Sequence, residues 1–139
     1  MGEFDVYKDI FYISRRNEME KIAICGSMKV KDRILKIGND LESLGYEVLY
    51  PTECMEGKPK NIASRAHFDR ICSSDIVLII NEKAHGKDNY IGPNSFAEIA
   101  FGFYFKKKVY LLNDYYKPYL DELKGWNVKT LNGKFEEVK

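Results

Sequence analysis

The sequence predicts an α/β fold, an open Rossmann-like (flavodoxin-like) three-layer sandwich with a mainly parallel five-stranded sheet. Three observations carry this. From Lys21 onward, short apolar runs alternate with amphipathic stretches, the pattern of βαβ units. Ile76 to Ile80 is apolar without a break, as expected of a central strand covered on both faces. Val30, Ile34, Ile37, Leu41 and Leu44 recur at steps of four and three, one face of a helix, and Gly45 follows where a helix C-terminal glycine belongs.

Taken in order, Ile22 to Cys25 is the first strand, and the helix just described follows it. Val48 to Tyr50 is a short second strand stopped by Pro51, and residues 52 to 61, with Gly57 and Pro59, read as a mobile loop. Ser64 is placed to cap a third-layer helix whose Phe68, Ile71 and Cys72 face inward, leading into the strand Ile76 to Ile80. A polar loop, Glu82 to Gly92, precedes a helix from about Ser95 to Phe105. Then come a strand Val109 to Leu112, a helix Tyr116 to Lys124 and an edge strand Val128 to Leu131.

The 139 residues, 45% hydrophobic and 31% charged, suit one core, so residues 21–139 are expected to form a single domain behind an N-terminal extension over 1–20. That extension mixes Glu3, Asp5, Lys8 and Asp9 among Phe4, Tyr7, Ile10 and Phe11, which is not the layout of a secretory signal. A formal charge of +1 lacks the basic excess needed to bind a nucleic acid polymer. No apolar run approaches the roughly 20 residues that cross a bilayer, so no membrane partner is expected. Cys25, Cys54 and Cys72 form no Cys-x-x-Cys pair, which favours a reducing cytosol over a disulfide scaffold, and with His67 and His85 they show no metal-ligand spacing. Neither a three-glycine dinucleotide fingerprint nor a Gly-Lys-Ser/Thr phosphate loop is present, and no cofactor is expected.

Open parallel sheets bind ligands beyond the carboxyl ends of their strands. Gly26-Ser27-Met28, Asn81 to Asn94, and Asn113-Asp114 fall there. Within the nearly all-apolar stretch Phe96 to Phe105, Glu98 is the only charge, and a carboxylate in such a setting is costly unless it is paired or its pKa rises. Ser95-x-x-Glu98 also has the spacing of a helix capping box, which would give Glu98 a purely local role. The preceding loop, Asn89-Tyr90-Ile91-Gly92-Pro93-Asn94-Ser95, is rich in residues that let backbone N–H groups approach an anion.

Together these segments resemble the nucleoside 2-deoxyribosyltransferase superfamily, which includes the 2′-deoxynucleoside 5′-phosphate N-hydrolases. The resemblance spans roughly residues 21 to 114 and rests on Lys21-Ile-Ala-Ile-Cys-Gly-Ser27, Asp69 to Ile80, Gly92-Pro-Asn-Ser-Phe-Ala-Glu98-Ile-Ala, and Lys107-Lys-Val-Tyr-Leu-Leu112. It implies that Glu98 attacks the anomeric carbon of a nucleoside sugar and displaces the base, forming a glycosyl-enzyme resolved by water or a second base. The family's aspartate acid, eight residues before the aspartate matching Asp75, is replaced by His67, leaving Asp69 or His67 itself as the candidate acid. The first-strand tyrosine of the N-hydrolases is Ala23 here, and their phosphate-binding serine is Gly92.

Expected substrate-binding residues are Gly26, Ser27, Met28, Tyr90, Gly92, Asn94, Ser95 and Asn113, the last placed like family residues that reach a neighbouring subunit's site. The expected activity is cleavage of the N-glycosidic bond of a (deoxy)nucleoside or nucleoside 5′-monophosphate, with hydrolysis favoured slightly over transfer. The alternative is a non-catalytic nucleotide or nucleotide-sugar sensor on the same fold. The apolar girth of the stretch 96–105 further predicts a homo-oligomer, with Tyr115, Tyr116 and Tyr119 closing over the site near the subunit boundary.

Overall fold

The computed structural model describes residues 19–139. The extension expected over 1–20 lies outside the described residues, apart from Met19 and Glu20. Five strands form one sheet in the order β2-β1-β3-β4-β5, and every pair is parallel. They are β1 (Lys21–Gly26), β2 (Glu47–Leu49), β3 (Ile76–Ile80), β4 (Lys108–Leu111) and β5 (Lys129–Thr130). The unbroken apolar strand β3 lies in the middle with all five residues buried, Leu78 pairing with Ile24 on one side and Tyr110 on the other.

The helices are α1 (Lys31–Ser43), α2 (Thr52–Met55), α3 (Lys60–Ser73), α4 (Pro93–Tyr104) and α5 (Leu120–Gly125). Alternation along the strands splits the core in two. Ile22, Ile24, Ile76, Leu78 and Ile80 share one face with Ile34, Ile37 and Leu41 of α1. Ala23, Cys25, Val77, Ile79, Val109 and Leu111 share the other with Ile71 of α3, Ile99 of α4 and Leu123 of α5. The result is the expected three-layer sandwich. Cys25 thereby points into the layer that holds α3 and α4.

Three expectations change. Residues 52–61 are not a loop throughout: they contain α2, closed by Gly57 at φ +73°, and the start of α3. The helix α3 begins at Lys60 behind Pro59 rather than at a Ser64 cap, the Pro59 carbonyl accepting the first intrahelical bond from Ala63 N–H at 2.9 Å. Its buried face is Ala63, His67 and Ile71, a strict i, i+4 row. Likewise α4 starts at Pro93 behind Gly92, so Ser95 lies inside its first turn and caps nothing.

The girth of α4 is covered largely within the chain. Gly102 lets the helix close on the sheet, since a Cβ there would lie 3.1 Å from Val77 and 3.2 Å from Val109 methyl carbons. Phe101 stacks on Phe68 of α3, while Phe96 and Phe103 stack on Trp126 and Phe96 also on Tyr119. Phe103, Tyr104 and Phe105 nevertheless remain 45%, 76% and 43% exposed at its C-terminal end. No helix among the described residues is long and apolar enough to cross a membrane.

Candidate active site

At the carboxyl ends of β1 and β3, a cavity of about 370 Å³ opens between the turn after β1, α2, α3 and the start of α4. Gly26, Ser27, Met28, Tyr90, Gly92, Asn94, Ser95 and Glu98 all line it, so eight of the sequence-selected residues converge on one space. A Cβ at Gly26 would crowd its neighbours, meeting Ile34 Cδ1 at 3.1 Å and the Ile80 carbonyl at 3.2 Å. Ser27 caps the 3₁₀ turn Met28–Val30, its Oγ accepting from the Lys29 N–H at 3.2 Å. Gly92 leaves room for the Tyr90 ring, whose Oη would lie 3.3 Å from an added Cβ.

With Gly92 as the N-cap residue of α4, Glu98 falls in the second turn, too far along the helix to return a bond to the cap. The capping-box alternative is excluded by this register. The carboxyl instead faces inward, its side chain only 13% exposed, with Oε2 3.4 Å from His67 Nε2. His67 is itself buried and lies 3.2 Å from Cys25 Sγ. Three helical and strand positions far apart in sequence thus meet under the cavity floor.

Burial sets the charges of this cluster. Loss of water pushes the Glu98 pKa up to about 7, although a hydrogen bond from the Cys25 thiol and the charge of Lys60 both act the other way. Burial, followed by the nearby Arg70 charge, lowers His67 to about 4, against a hydrogen bond to the Ile24 carbonyl. The Cys25 thiol is held well above its ordinary range, first by burial and then by the Glu98 charge. At neutral pH the Glu98–His67 contact is therefore not a full ion pair. The imidazole is uncharged, and Glu98 divides between acid and carboxylate.

Cys25, His67 and Glu98 also offer S, N and O atoms within 4.8 Å of one another, a donor set suited to zinc that sequence spacing did not reveal. Each group already has a partner inside the cluster, and no buried side-chain N or O among the described residues lacks one.

Two candidates do not join the site. Asp69 is exposed on α3, two residues and so about 200° around the helix from His67. A register that buries Ala63, His67 and Ile71 necessarily turns it away. Asn113 clamps the ends of β3 and β4: its backbone N–H donates to Asn81 Oδ1 at 2.8 Å and its side-chain amide to the Asn81 carbonyl at 3.2 Å. His67, for its part, lies beneath the cavity rather than on its wall. The tyrosines expected to close over the site are also used elsewhere. Tyr116 is core, Tyr115 donates to the Val128 carbonyl and Tyr119 stacks on Phe96.

Several lining residues were not selected from the sequence: Cys54, Lys58, Lys60 and His85. His85 sits at φ 53° beside Gly86 at φ 70°, in a two-residue hairpin turn closed by paired Ala84 and Lys87 backbone bonds. Its ring packs edge-on to Tyr90 at 5.0 Å. The His-Gly pair was the available signal for this turn.

No protein-family model and no curated protein sequence matches the chain. Among solved structures it is similar to the Clostridium botulinum CMP N-glycosidase BcmB, with 22% identity, a TM-score of 0.55, and coverage of 85% of this chain and 93% of that one. The likeness shows a shared fold.

The raised Glu98 pKa has a direct consequence for stability. Below pH 4.5 the carboxyl is protonated folded or unfolded; above it the unfolded chain ionises first, so folding loses stability until about pH 7. Glu98→Gln removes this cost, which reaches about 3 kcal/mol at the top of the window. Denaturant unfolding should show the variant gaining on wild type from pH 5 to about 7 and the gap holding constant above that. A gap independent of pH contradicts the buried-acid description.

Proposed function

We propose that this protein cleaves the N-glycosidic bond of a nucleoside or nucleoside 5′-monophosphate, with the Glu98 carboxylate as nucleophile. The observation that carries the reading is a single carboxyl, buried at the floor of a cavity at the strand ends and backed by two neutral hydrogen-bonding groups. The fold shared with a CMP N-glycosidase supports it. A carboxylate of pKa about 7 is ionised in a useful fraction at neutral pH, yet is poorly solvated and so more reactive than one in water.

In the first step a Glu98 oxygen bonds to the anomeric carbon as the carbon–nitrogen bond breaks. The electron pair leaves with the base, which takes a proton. His85, on the cavity wall, is positioned as the proton donor, a role that neither exposed Asp69 nor buried, neutral His67 suits. Water then attacks the glycosyl ester, its oxygen ending on the sugar and its proton on a general base, and the carboxylate is regenerated. Hydrolysis is favoured over transfer because a transferase must also hold a second base while excluding water.

Two features suit a 5′-phosphate. Lys58 and Lys60 line the cavity, and the first-turn N–H groups of the twelve-residue α4 open onto it at Asn94 and Ser95. Both nucleosides and monophosphates are thus accommodated, with the phosphate adding attraction.

The same reading includes self-association through the C-terminal end of α4, supported by the adjoining exposed aromatics Phe103, Tyr104 and Phe105. Sedimentation velocity is expected to give a species larger than the 16.2 kDa chain, reduced to monomer by Tyr104→Lys with Phe105→Lys. A wild-type monomer at micromolar concentration contradicts this part.

The activity is tested by incubating wild type and Glu98→Ala with ribo- and deoxyribonucleosides and their 5′-monophosphates, with and without an acceptor base, and separating free and exchanged bases. Base release is expected from wild type and is expected to fall at least about a thousandfold in the variant. Wild-type kcat/KM should rise toward about pH 7 as the carboxylate forms and fall again at higher pH as the proton donor is lost, a bell-shaped profile. Release that persists in Glu98→Ala overturns the nucleophile. Nucleotide-dependent thermal stabilisation without any turnover favours a binding protein instead.

A further inference from the structure

His67 has a second side that the proposed chemistry does not use. Arg70, one turn further along α3, brings Nη1 to 3.5 Å from His67 Nδ1. Its Nη2 is held by both Glu53 carboxylate oxygens, at 2.6 and 2.8 Å, and by Thr52 Oγ1 at 2.9 Å. Thr52 and Glu53 belong to α2, the four-residue helical turn at the cavity edge. The Arg70 and Glu53 side chains are each 22% exposed, so this pair is partly shielded from water. Its effect is visible on Glu53, whose carboxyl is held below its ordinary range chiefly by the Arg70 hydrogen bond.

A guanidinium carries only donors and keeps its proton at any relevant pH. The imidazole nitrogen it faces must therefore present a lone pair. A neutral imidazole has one N–H, which places the proton on Nε2. The other contacts agree. The ring's other nitrogen, Nε2, faces β1, where Cys25 Sγ is 3.2 Å away. Nε2 is also the nitrogen that faces Glu98 Oε2 at 3.4 Å.

We propose that Arg70, clamped by Glu53 and Thr52, is a positioning residue that fixes His67 as the Nε2–H tautomer, so that the imidazole donates toward Glu98 and cannot accept its proton. The opposite tautomer would offer a lone pair to the Glu98 carboxylic acid and hold it in the form that cannot attack. A charged imidazolium would hold the carboxylate in an ion pair, and the Arg70 charge opposes that state as well. In its kinetic consequence this inference rests on the reading of Glu98 as nucleophile; the tautomer itself does not.

The groups facing this pair are few. Glu98 meets Cys25 from β1 and His67 from α3, with Cys54 of α2 and Lys60 of α3 near enough to act through charge. His67 meets Arg70, Cys25, Glu98 and, through charge, Glu53. Of these groups, Arg70 is the one that faces Nδ1.

The test is the nitrogen NMR spectrum of full-length protein labelled with ¹⁵N-histidine, taken without substrate. Only two histidines are present, and His85→Gln serves to assign the signals. At pH 7 His67 is expected neutral with its proton on Nε2. In Arg70→Met the proton is expected to move substantially to Nδ1, while Arg70→Lys, which keeps a donor-only cation, retains more of the Nε2–H form. Where the protein turns over, Arg70→Met should lower kcat at least about tenfold with KM unchanged and move the acid limb of kcat/KM to higher pH.

An Nδ1–H or imidazolium form in wild type overturns the proposal, as does an unchanged tautomer in folded Arg70→Met. Should that variant not fold, Glu53→Gln, which loosens the clamp and keeps the guanidinium, must shift the spectrum in the same direction; no shift overturns the proposal. Because the spectrum needs no substrate, failure of the glycosidase reading and failure of this one are read separately.

Discussion

The structure is organised around the cost of keeping one carboxyl out of water. Glu98 lies on the helix face near Ser95, Ile99 and Gly102, which are buried as α4 packs on the sheet. An unpaired charge there is unaffordable, so the group is driven toward its neutral form and supplied with donors from two other elements. The Cys25 thiol comes from β1 and the His67 imidazole from α3. Everything that fixes these elements relative to one another also sets the reactivity of the carboxyl.

The parallel topology does that fixing. Pairing of β1 with β3 over five residues brings the turn after β1 beside the loop after β3, and both open toward the start of α4. The glycine ending β1 permits close approach at the strand end, and Gly102 permits it where α4 meets Val77 and Val109. Behind His67, the Glu53–Arg70 pair ties α2 to α3. The cavity wall and the tautomer of the buried imidazole thus share one support.

Much of this was legible in the chain because it rests on local pattern. The continuous run of β3, the central Ile34, Ile37 and Leu41 of the α1 face and the lone charge in an apolar helix survive as read, whereas Leu44 lies past the helix end and is exposed. What was not legible depends on contacts between distant residues. The turn α2 is four residues long, too short to show a period, and is held to α3 by an arginine eighteen positions beyond Thr52. The choice between His67 and Asp69 depends on helix phase, which is set by the packing that buries Ala63 and Ile71 on the same row as His67. Cys25 reads as an ordinary core residue because nothing in β1 reveals that its neighbours are an imidazole and a carboxyl. Ser95 and Glu98 have capping-box spacing, and only the Pro93 start of α4 removes that meaning.

The central claim is that Glu98 forms a covalent bond to the sugar, and the most direct measurement is to trap it. A panel of 2′-deoxy-2′-fluoroarabinonucleosides and their 5′-monophosphates slows the second step, because the fluorine destabilises the positively charged transition state that releases the sugar. Intact-protein mass spectrometry should show one fluorosugar added per chain, and peptide mapping should place it on Glu98. Base released from these compounds with no adduct, or an adduct on another residue, contradicts the account and assigns Glu98 a different role.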